Sequence, residues 1–147
     1  MKLYTIGFAQ KSARQFFELL RQNKVQRLVD IRLGPSGQLA GFARKEDLPY
    51  FLDHLADSCD YLHLPELAPS KEILDNYRRG SGEWADYVQR FEALMDERGI
   101  PDQLDRSIFE SADCCLLCSE ATPEQCHRRL VAERLQKHWP GVKVIHL

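Results

Sequence analysis

The sequence predicts one α/β domain over residues 1–147, with a mainly parallel five-stranded sheet and helices on both faces, Rossmann-like or flavodoxin-like. Three observations predict this class. Short apolar runs alternate along the chain with segments of helical periodicity. A length of 147 residues is typical of one domain with its own core. Strands that are separated by helices pair in parallel, so the sheet should carry helices on both sides.

The amino-terminal half shows the alternation first. Apolar runs such as "KLYTIG" read as short buried strands, and the segments between them have apolar residues at helical spacing. Ser12 and Gln15 form a capping box, which marks the start of the first helix. We assign strands to 2–7, 27–32 and 60–65 and helices to 12–23 and 48–59.

The carboxyl-terminal half begins with a long connection, "PELAPSKEILDNYRRGSG", whose prolines and glycines interrupt regular structure around one short helix at Ile73, Leu74 and Tyr77. Long connections are often functional. A helix over 83–99 follows, and we interpret its aromatic residues, including Trp84, as core. The remaining elements are a strand over 114–118, a helix over 123–138 and a closing strand over 142–147.

Composition limits the classes of function. A formal charge of -2 and a pI near 6.2 give no general attraction to polyanions, so nucleic acid would need a local basic patch. Five cysteines form an odd set and no secretory leader precedes the first strand, which predicts a reduced cytoplasmic protein. No apolar run approaches the ~20 residues of a membrane span, so no membrane partner is expected. No cofactor is predicted.

The predicted topology locates a binding site. Open parallel sheets bind ligands beyond the carboxyl ends of their strands, here after Gly7, Arg32, His63 and Cys118. Asp30 and Arg32 occupy alternate positions at one such end. The two residues either neutralise each other or bind ligand, and the sequence favours neither interpretation.

The stretch "CSEATPEQCHRRL" connects a predicted strand to the next helix. Thr122 suits the N-cap, Pro123 the first helical position, and Gln125 completes a capping box. Cys118 then ends the strand, while Cys126 and the two residues after it lie in the first turns of the helix. Free backbone amides there favour an anion or a thiolate.

Three interpretations of these cysteines remain open: packing residues, reactive or redox-paired thiols, and metal ligands. Free cysteine is often buried, which favours packing. Zinc is disfavoured because the consecutive Cys126 and His127 diverge by about 100 degrees on a helix. We expect Cys118 and Cys126 to be neighbours that a mild oxidant can link.

Several stretches together resemble the bacterial and archaeal family catalogued as domain of unknown function 488: "YTIG", "LVDIRLGP", "YLHLPEL", "LLCSEATPEQCHRRLVAERL" and "VKVIHL". The resemblance implies one α/β domain and no particular reaction. It also implies a shared site built from Arg32, Pro35, Cys118, Glu120, Cys126, His127 and Arg128. The family's first strand usually continues as Thr-Ile-Gly-His-Ser, whereas this chain has Phe8 and Ala9 at the last two positions. Loss of that His and Ser puts catalytic activity in question.

Two hypotheses about function follow. In the first, a small enzyme or pseudo-enzyme binds an anionic ligand, such as a phosphate, a nucleotide or a nucleic-acid end. Cys118 or Cys126 would be its nucleophile, and His127 or Glu120 would handle the proton. The arginines assigned to the anion are Arg32, Arg44 and Arg128. In the second hypothesis, a non-catalytic module binds nucleic acid or protein through the loop around residues 65–84, with the residues Tyr77, Arg78, Arg79 and Trp84.

Overall fold

The fold is a five-stranded sheet between two layers of helices, in a computed structural model that describes residues 1–79 and 82–147, and of Gln38 only the backbone. All pairings are parallel, and the strands run in the order β3-β2-β4-β1-β5. The predicted α/β class and the number of strands are confirmed. The strands are β1 Lys2–Gly7, β2 Arg27–Asp30, β3 Asp60–His63, β4 Cys114–Cys118 and β5 Lys143–His146.

The predicted helices occur in the predicted order along the chain, and the structure adds a short helix over 107–110 that was not predicted. They are α1 Ala13–Gln22, α2 Leu48–Leu55, α3 Lys71–Arg78, α4 Trp84–Glu97, α5 Ser107–Glu110 and α6 His127–His138. Two 3-10 helices, Gln38–Ala43 and Pro65–Leu67, precede α2 and α3. The capping box of α1 is confirmed by the bond from the Gln15 amide to the Ser12 hydroxyl at 3.1 Å and its reciprocal at 2.8 Å. Gly80 and Ser81 of the predicted long connection lie outside the described residues.

Alternating side chains of the sheet divide the core into two layers. On one face Tyr4 and Ile6 of β1 pack with Phe16 of α1 and Leu52 of α2. On the other face the neighbouring strand residues, such as Leu3, pack with residues of α3 to α6. No helix among the described residues has the length and apolar character needed to cross a membrane.

The strand order creates one switch point. The chain leaves β1 through α1 on one face and leaves β4 through α6 on the other, and these two strands are neighbours in the sheet. Such a crevice is where open α/β sheets bind ligands. Gly7 and Cys118, the last residues of the two strands, are directly paired in register. The order 3-2-4-1-5 differs from both classical doubly wound orders.

The start of α6 differs from its prediction. The N-cap is Cys126, four residues after the predicted Thr122, and residues 119–126 form an irregular edge loop. The Arg128 guanidinium donates to backbone carbonyls of this loop, which holds it away from helical geometry. The Gln125 carboxamide accepts a hydrogen bond from the Tyr77 hydroxyl at 3.1 Å instead of closing a capping box with Thr122.

Candidate active site at the carboxyl edge of the sheet

A cavity of about 890 Å³ opens at the carboxyl edge of the sheet. Its floor comes from the ends of β1, β2 and β4, and its walls come from α3, α4 and the start of α6. This cavity lies where the sequence predicted the ligand site. We call it the edge cavity, and its lining residues include Phe8, Arg32, Cys118, Cys126 and His127.

Cys118 ends β4, as predicted, and its sulfur lies 3.4 Å from Nδ1 of His127. The other nitrogen of that ring, Nε2, lies 2.8 Å from the carbonyl oxygen of Ile31. A carbonyl only accepts hydrogen bonds, so Nε2 carries a proton, and Nδ1 is the ring nitrogen that can exchange a proton with the sulfur. The strand end thus places a sulfur against a basic nitrogen.

Cys126 joins the same cluster. The sulfurs of Cys118 and Cys126 and one ring nitrogen of His127 all lie within 4.8 Å of one another, which confirms that the two cysteines are neighbours. The argument that Cys126 and His127 must diverge was wrong, because Cys126 precedes the helix with an extended backbone at φ -136 and ψ 137. Two thiols and an imidazole can hold a soft divalent ion, but structural zinc sites use four ligands and no fourth residue of the described chain joins this cluster.

The surroundings separate the acidities of the two thiols. Burial would raise the pKa of Cys118, but hydrogen bonds from Cys126 and from the backbone N–H groups of Glu120 and Ser119 lower it, assisted by the charge of Arg128. The pKa of Cys126 is raised, first by its hydrogen bond to Cys118 and then by burial. These surroundings favour ionisation of Cys118 over ionisation of Cys126.

Arg128 lies beneath the cavity floor rather than in the cavity wall. Its side chain is 0% exposed. It donates to the carbonyl oxygens of Glu120 and Ala121, to the Thr5 hydroxyl at 3.3 Å and to the sulfur of Cys126 at 3.5 Å. None of these partners in the described chain is a carboxylate, so among these bonds the Cys126 thiol is the one ionisable neighbour of a fully buried cation.

Asp30 and Arg32 form a buried ion pair. Nε and Nη2 of Arg32 donate to the two carboxylate oxygens at 2.8 and 2.7 Å, and the Tyr61 hydroxyl donates to the same carboxylate. The Phe8 ring lies 5.4 Å from the guanidinium carbon of Arg32. Arg32 reaches the edge cavity, whereas Asp30 does not line it. The geometry favours mutual neutralisation, one of the two interpretations left open by the sequence.

The other predicted residues are dispersed. Glu120 lines the edge cavity with an exposed side chain. Pro35 is buried and its carbonyl accepts the Lys45 amide at 3.0 Å, which is a bond within the loop after β2. Arg44 does not line the cavity, and its Nε lies 3.8 Å from a carboxylate oxygen of Glu46.

The cavity wall contains an aromatic group that sequence periodicity assigned to the core. Trp84 is only partly buried, and its ring stacks on Tyr87 with centroids 4.9 Å apart, while Tyr77 lies 5.9 Å from Trp84. Helical spacing predicts which residues face inward but not that a cavity interrupts the packing there. The cations Lys71 and Arg78 of α3 also line the wall.

Comparison with known proteins gives one match. The family model described as "Domain of unknown function DUF488" matches residues 12–135, which confirms the resemblance predicted from the motifs. No curated protein and no solved structure matches the chain. The description of the family names no activity, so a function has to be argued from the site itself.

Proposed function

The chain belongs to the DUF488 family, and we propose that it is a thiol-dependent enzyme whose Cys118 acts as a nucleophilic thiolate on a ligand in the edge cavity. One observation carries the proposal: the sulfur of Cys118 lies in the cavity floor at the convergence of several groups that hold a negative charge. A thiolate, unlike a thiol, is the reactive form of cysteine.

Charge balance supports the thiolate. An uncompensated buried guanidinium is strongly unfavourable, and Arg128 is completely buried among neutral oxygens and the cysteine cluster. One negative charge on the Cys118 sulfur would balance the positive charge of the Arg128 guanidinium. The sequence predicted an anion site at this helix start, and the proposal is that the anion held by the loop amides is the chain's own thiolate rather than a free phosphate.

The walls support a planar ligand that carries a negative charge. Tyr77 and Trp84 offer aromatic faces, and Arg78 and Lys71 offer positive charge on the same side of the edge cavity. Asp75 and Glu120 also line the edge cavity, so the positive charge that would meet an anion is confined to Lys71 and Arg78 of α3. A nucleotide or a nucleic-acid end has the required combination of flat ring and phosphate. The ligand anion would meet α3, and not Arg128 or Arg44.

His127 and Glu120 take the proton-transfer roles. Nδ1 of His127 is an available base 3.4 Å from the Cys118 sulfur, and its orientation is fixed by the bond from Nε2 to Ile31. The Glu120 carboxyl lies at the cavity wall, where it reaches ligand rather than the sulfur. Phe8 occupies the floor where the family usually has histidine, so the acid–base work falls to these two groups.

Alkylation by iodoacetamide across pH tests the nucleophile. We expect carboxamidomethylation at Cys118 with a midpoint below the ordinary thiol pKa of 9.0. Arg128→Met should raise the midpoint because it removes the compensating cation, whereas Arg129→Met, at a surface pair with Glu133, should not. A midpoint at or above 9.0 in the wild type would refute the thiolate, and that result does not depend on whether Arg128→Met folds.

Calorimetric titration with adenosine monophosphate tests the ligand class. Arg78→Ala should weaken binding about tenfold, or about 1.4 kcal/mol, because it removes a cation from the cavity wall. Arg79→Ala is the matched control, since Arg79 does not line the edge cavity. Adenosine, which has no phosphate, should bind the wild type and Arg78→Ala with equal affinity. Equal losses in the two variants would contradict an anion site at this wall.

The non-catalytic alternative uses the same wall. Tyr77, Arg78 and Trp84, three of the residues assigned to a binding module around residues 65–84, line the edge cavity, so a single-stranded nucleic-acid end can enter it. Titration of a short oligonucleotide into the wild type and Cys118→Ser separates the two hypotheses. Binding that occurs without covalent or catalytic change at Cys118 would favour the module.

A further inference from the structure

We infer that Cys118 and Cys126 form a working dithiol pair that reduces organic disulfides, an inference that rests on the proposed thiolate role of Cys118. The observation behind it is geometric: two buried sulfurs that line one cavity lie within 4.8 Å of each other at the end of a strand and the start of the next helix. A nucleophile alone would not require the second sulfur.

Helix capping does not explain the cysteine at position 126. It is the N-cap of α6, where Ser, Thr, Asp or Asn normally accept a backbone hydrogen bond, yet its side chain makes no capping bond. Its extended backbone directs the sulfur toward the cluster, and Nη1 of Arg128 lies 3.5 Å from it. The residue therefore serves the sulfur cluster and not the helix end.

The other cysteines are not placed to act as the partner. Cys59 and Cys115 belong to the core layer beneath α1 and α2. Cys114 lies at the opposite end of β4, and its thiol lies 3.3 Å from the Ile108 carbonyl. None of the three lines the edge cavity. Of the chain's cysteines, Cys126 alone shares that cavity with Cys118.

Two exchange steps complete the reaction. The Cys118 thiolate attacks one sulfur of the disulfide R–S–S–R′, that S–S bond breaks, and R′S⁻ leaves to take a proton from water. The Cys126 thiol then gives its proton to Nδ1 of His127, and its sulfur attacks the Cys118 sulfur, which releases RS⁻. The disulfide has gained two electrons, and the protein holds a Cys118–Cys126 disulfide. A dithiol reductant returns the protein to the reduced state.

The order of the steps follows from the surroundings of each sulfur. The hydrogen bond to Cys118 and burial are the largest causes of the raised pKa of Cys126. The first step converts the Cys118 thiolate to a neutral disulfide, so the largest of those causes disappears just when Cys126 must ionise. His127 already lowers the pKa of Cys126 through a hydrogen bond and becomes its base. Cys126 is thus inactive before the mixed disulfide exists and active after it.

Reaction of the reduced full-length chain with one equivalent of 2-hydroxyethyl disulfide at pH 7 tests the pair. The wild type should lose two hydrogens and yield a peptide with the 118–126 linkage. Cys126→Ser should stop at a mixed disulfide on Cys118 that persists at least about tenfold longer than in the wild type, because the neighbouring thiol is gone. Cys118→Ser should give neither product. Cys59→Ser, remote from the edge cavity, should behave as the wild type.

Three outcomes would overturn the inference. A wild-type mixed disulfide as long-lived as that of Cys126→Ser would show that Cys126 does not resolve it. Rapid alkylation of Cys118 in the same protein would show that the proposed role of Cys118 as nucleophile still holds. A mixed disulfide that forms first on Cys126 would reverse the roles. Stoichiometric zinc in the isolated protein, with Cys118 unreactive until chelation, would make the cluster a metal site and refute the nucleophile as well.

Discussion

Strand β4 has an amino end and a carboxyl end, and its cysteines differ accordingly. Cys114 and Cys118 are both buried, at 1% and 4% exposure, four residues apart. Burial raises the pKa of Cys114 to about 11, whereas the pKa of Cys118 is lowered despite burial. Within the sheet, backbone amides donate hydrogen bonds to neighbouring strands. Beyond the carboxyl end of β4, the free amides of Ser119 and Glu120 in the edge loop donate to the Cys118 sulfur instead. Position along one strand therefore decides whether a buried thiol is inert or reactive.

The largest expected effect is the difference in reactivity between these two thiols. At pH 7 a pKa of about 11 leaves about one Cys114 in ten thousand ionised, and a pKa below 9.0 leaves at least about one Cys118 in a hundred. Iodoacetamide should therefore label Cys118 at least about 100-fold faster, as followed by peptide mass spectrometry over time. Equal rates for the two residues would remove the distinction between the two ends of β4.

Serine substitution tests the same distinction through stability. Cys115, at 0% exposure, has only a distant carbonyl contact at 3.9 Å, so the Cys115→Ser hydroxyl is buried without a good partner and should cost about 2 kcal/mol. Cys118→Ser should cost less than about 1 kcal/mol because His127 Nδ1 can accept from the new hydroxyl. Urea unfolding under reducing conditions measures both. The reverse order would mean that the strand end is packed as tightly as the body.

The close approach of β1 to the edge loop provides the next test. A Cβ added at Gly7 would lie 1.6 Å from the carbonyl oxygen of Glu120 and 2.8 Å from Nη1 of Arg128. Gly7→Ala should therefore displace the edge loop and slow alkylation of Cys118 at least about tenfold, as its pKa returns toward the ordinary value. Gly34→Ala, where an added Cβ meets nothing within 4 Å, is the matched control. Unchanged alkylation in Gly7→Ala would show that the loop does not activate the thiol.

The fold and the site differ in how far the sequence predicted them. Apolar periodicity predicted all five strands, because burial between two helical layers requires continuous apolar runs. Local chemistry also placed the Ser12 cap and the end of β4 correctly. Cys118, Cys126 and His127 were recognised as a group because they share one strand-to-helix connection.

The start of α6 and the position of Arg128 were not predicted, because both depend on contacts between residues distant in the fold. Thr122, Pro123 and Gln125 have the local preferences of a helix start, but the buried Arg128 binds the loop carbonyls and moves the start to Cys126. Tertiary hydrogen bonds of this kind outweigh the capping preference, which is worth about 1 kcal/mol. No local pattern shows whether a side chain in the first turn points toward ligand or beneath the loop. Arg128 was assigned to the ligand for that reason.

The smallest expected effect concerns the contact between the edge loop and α3. The Tyr77 hydroxyl donates to the Gln125 carboxamide at 3.1 Å in an exposed setting, where water competes for both groups. Tyr77→Phe should therefore change the free energy of unfolding by less than about 0.5 kcal/mol and the alkylation rate of Cys118 by no more than about twofold. The aromatic wall is preserved, so urea unfolding and iodoacetamide labelling report this bond alone. A tenfold loss of labelling would show that α3, and not only the strand end and Arg128, holds the loop amides against the sulfur, and the contrast between Cys114 and Cys118 would then have a tertiary cause.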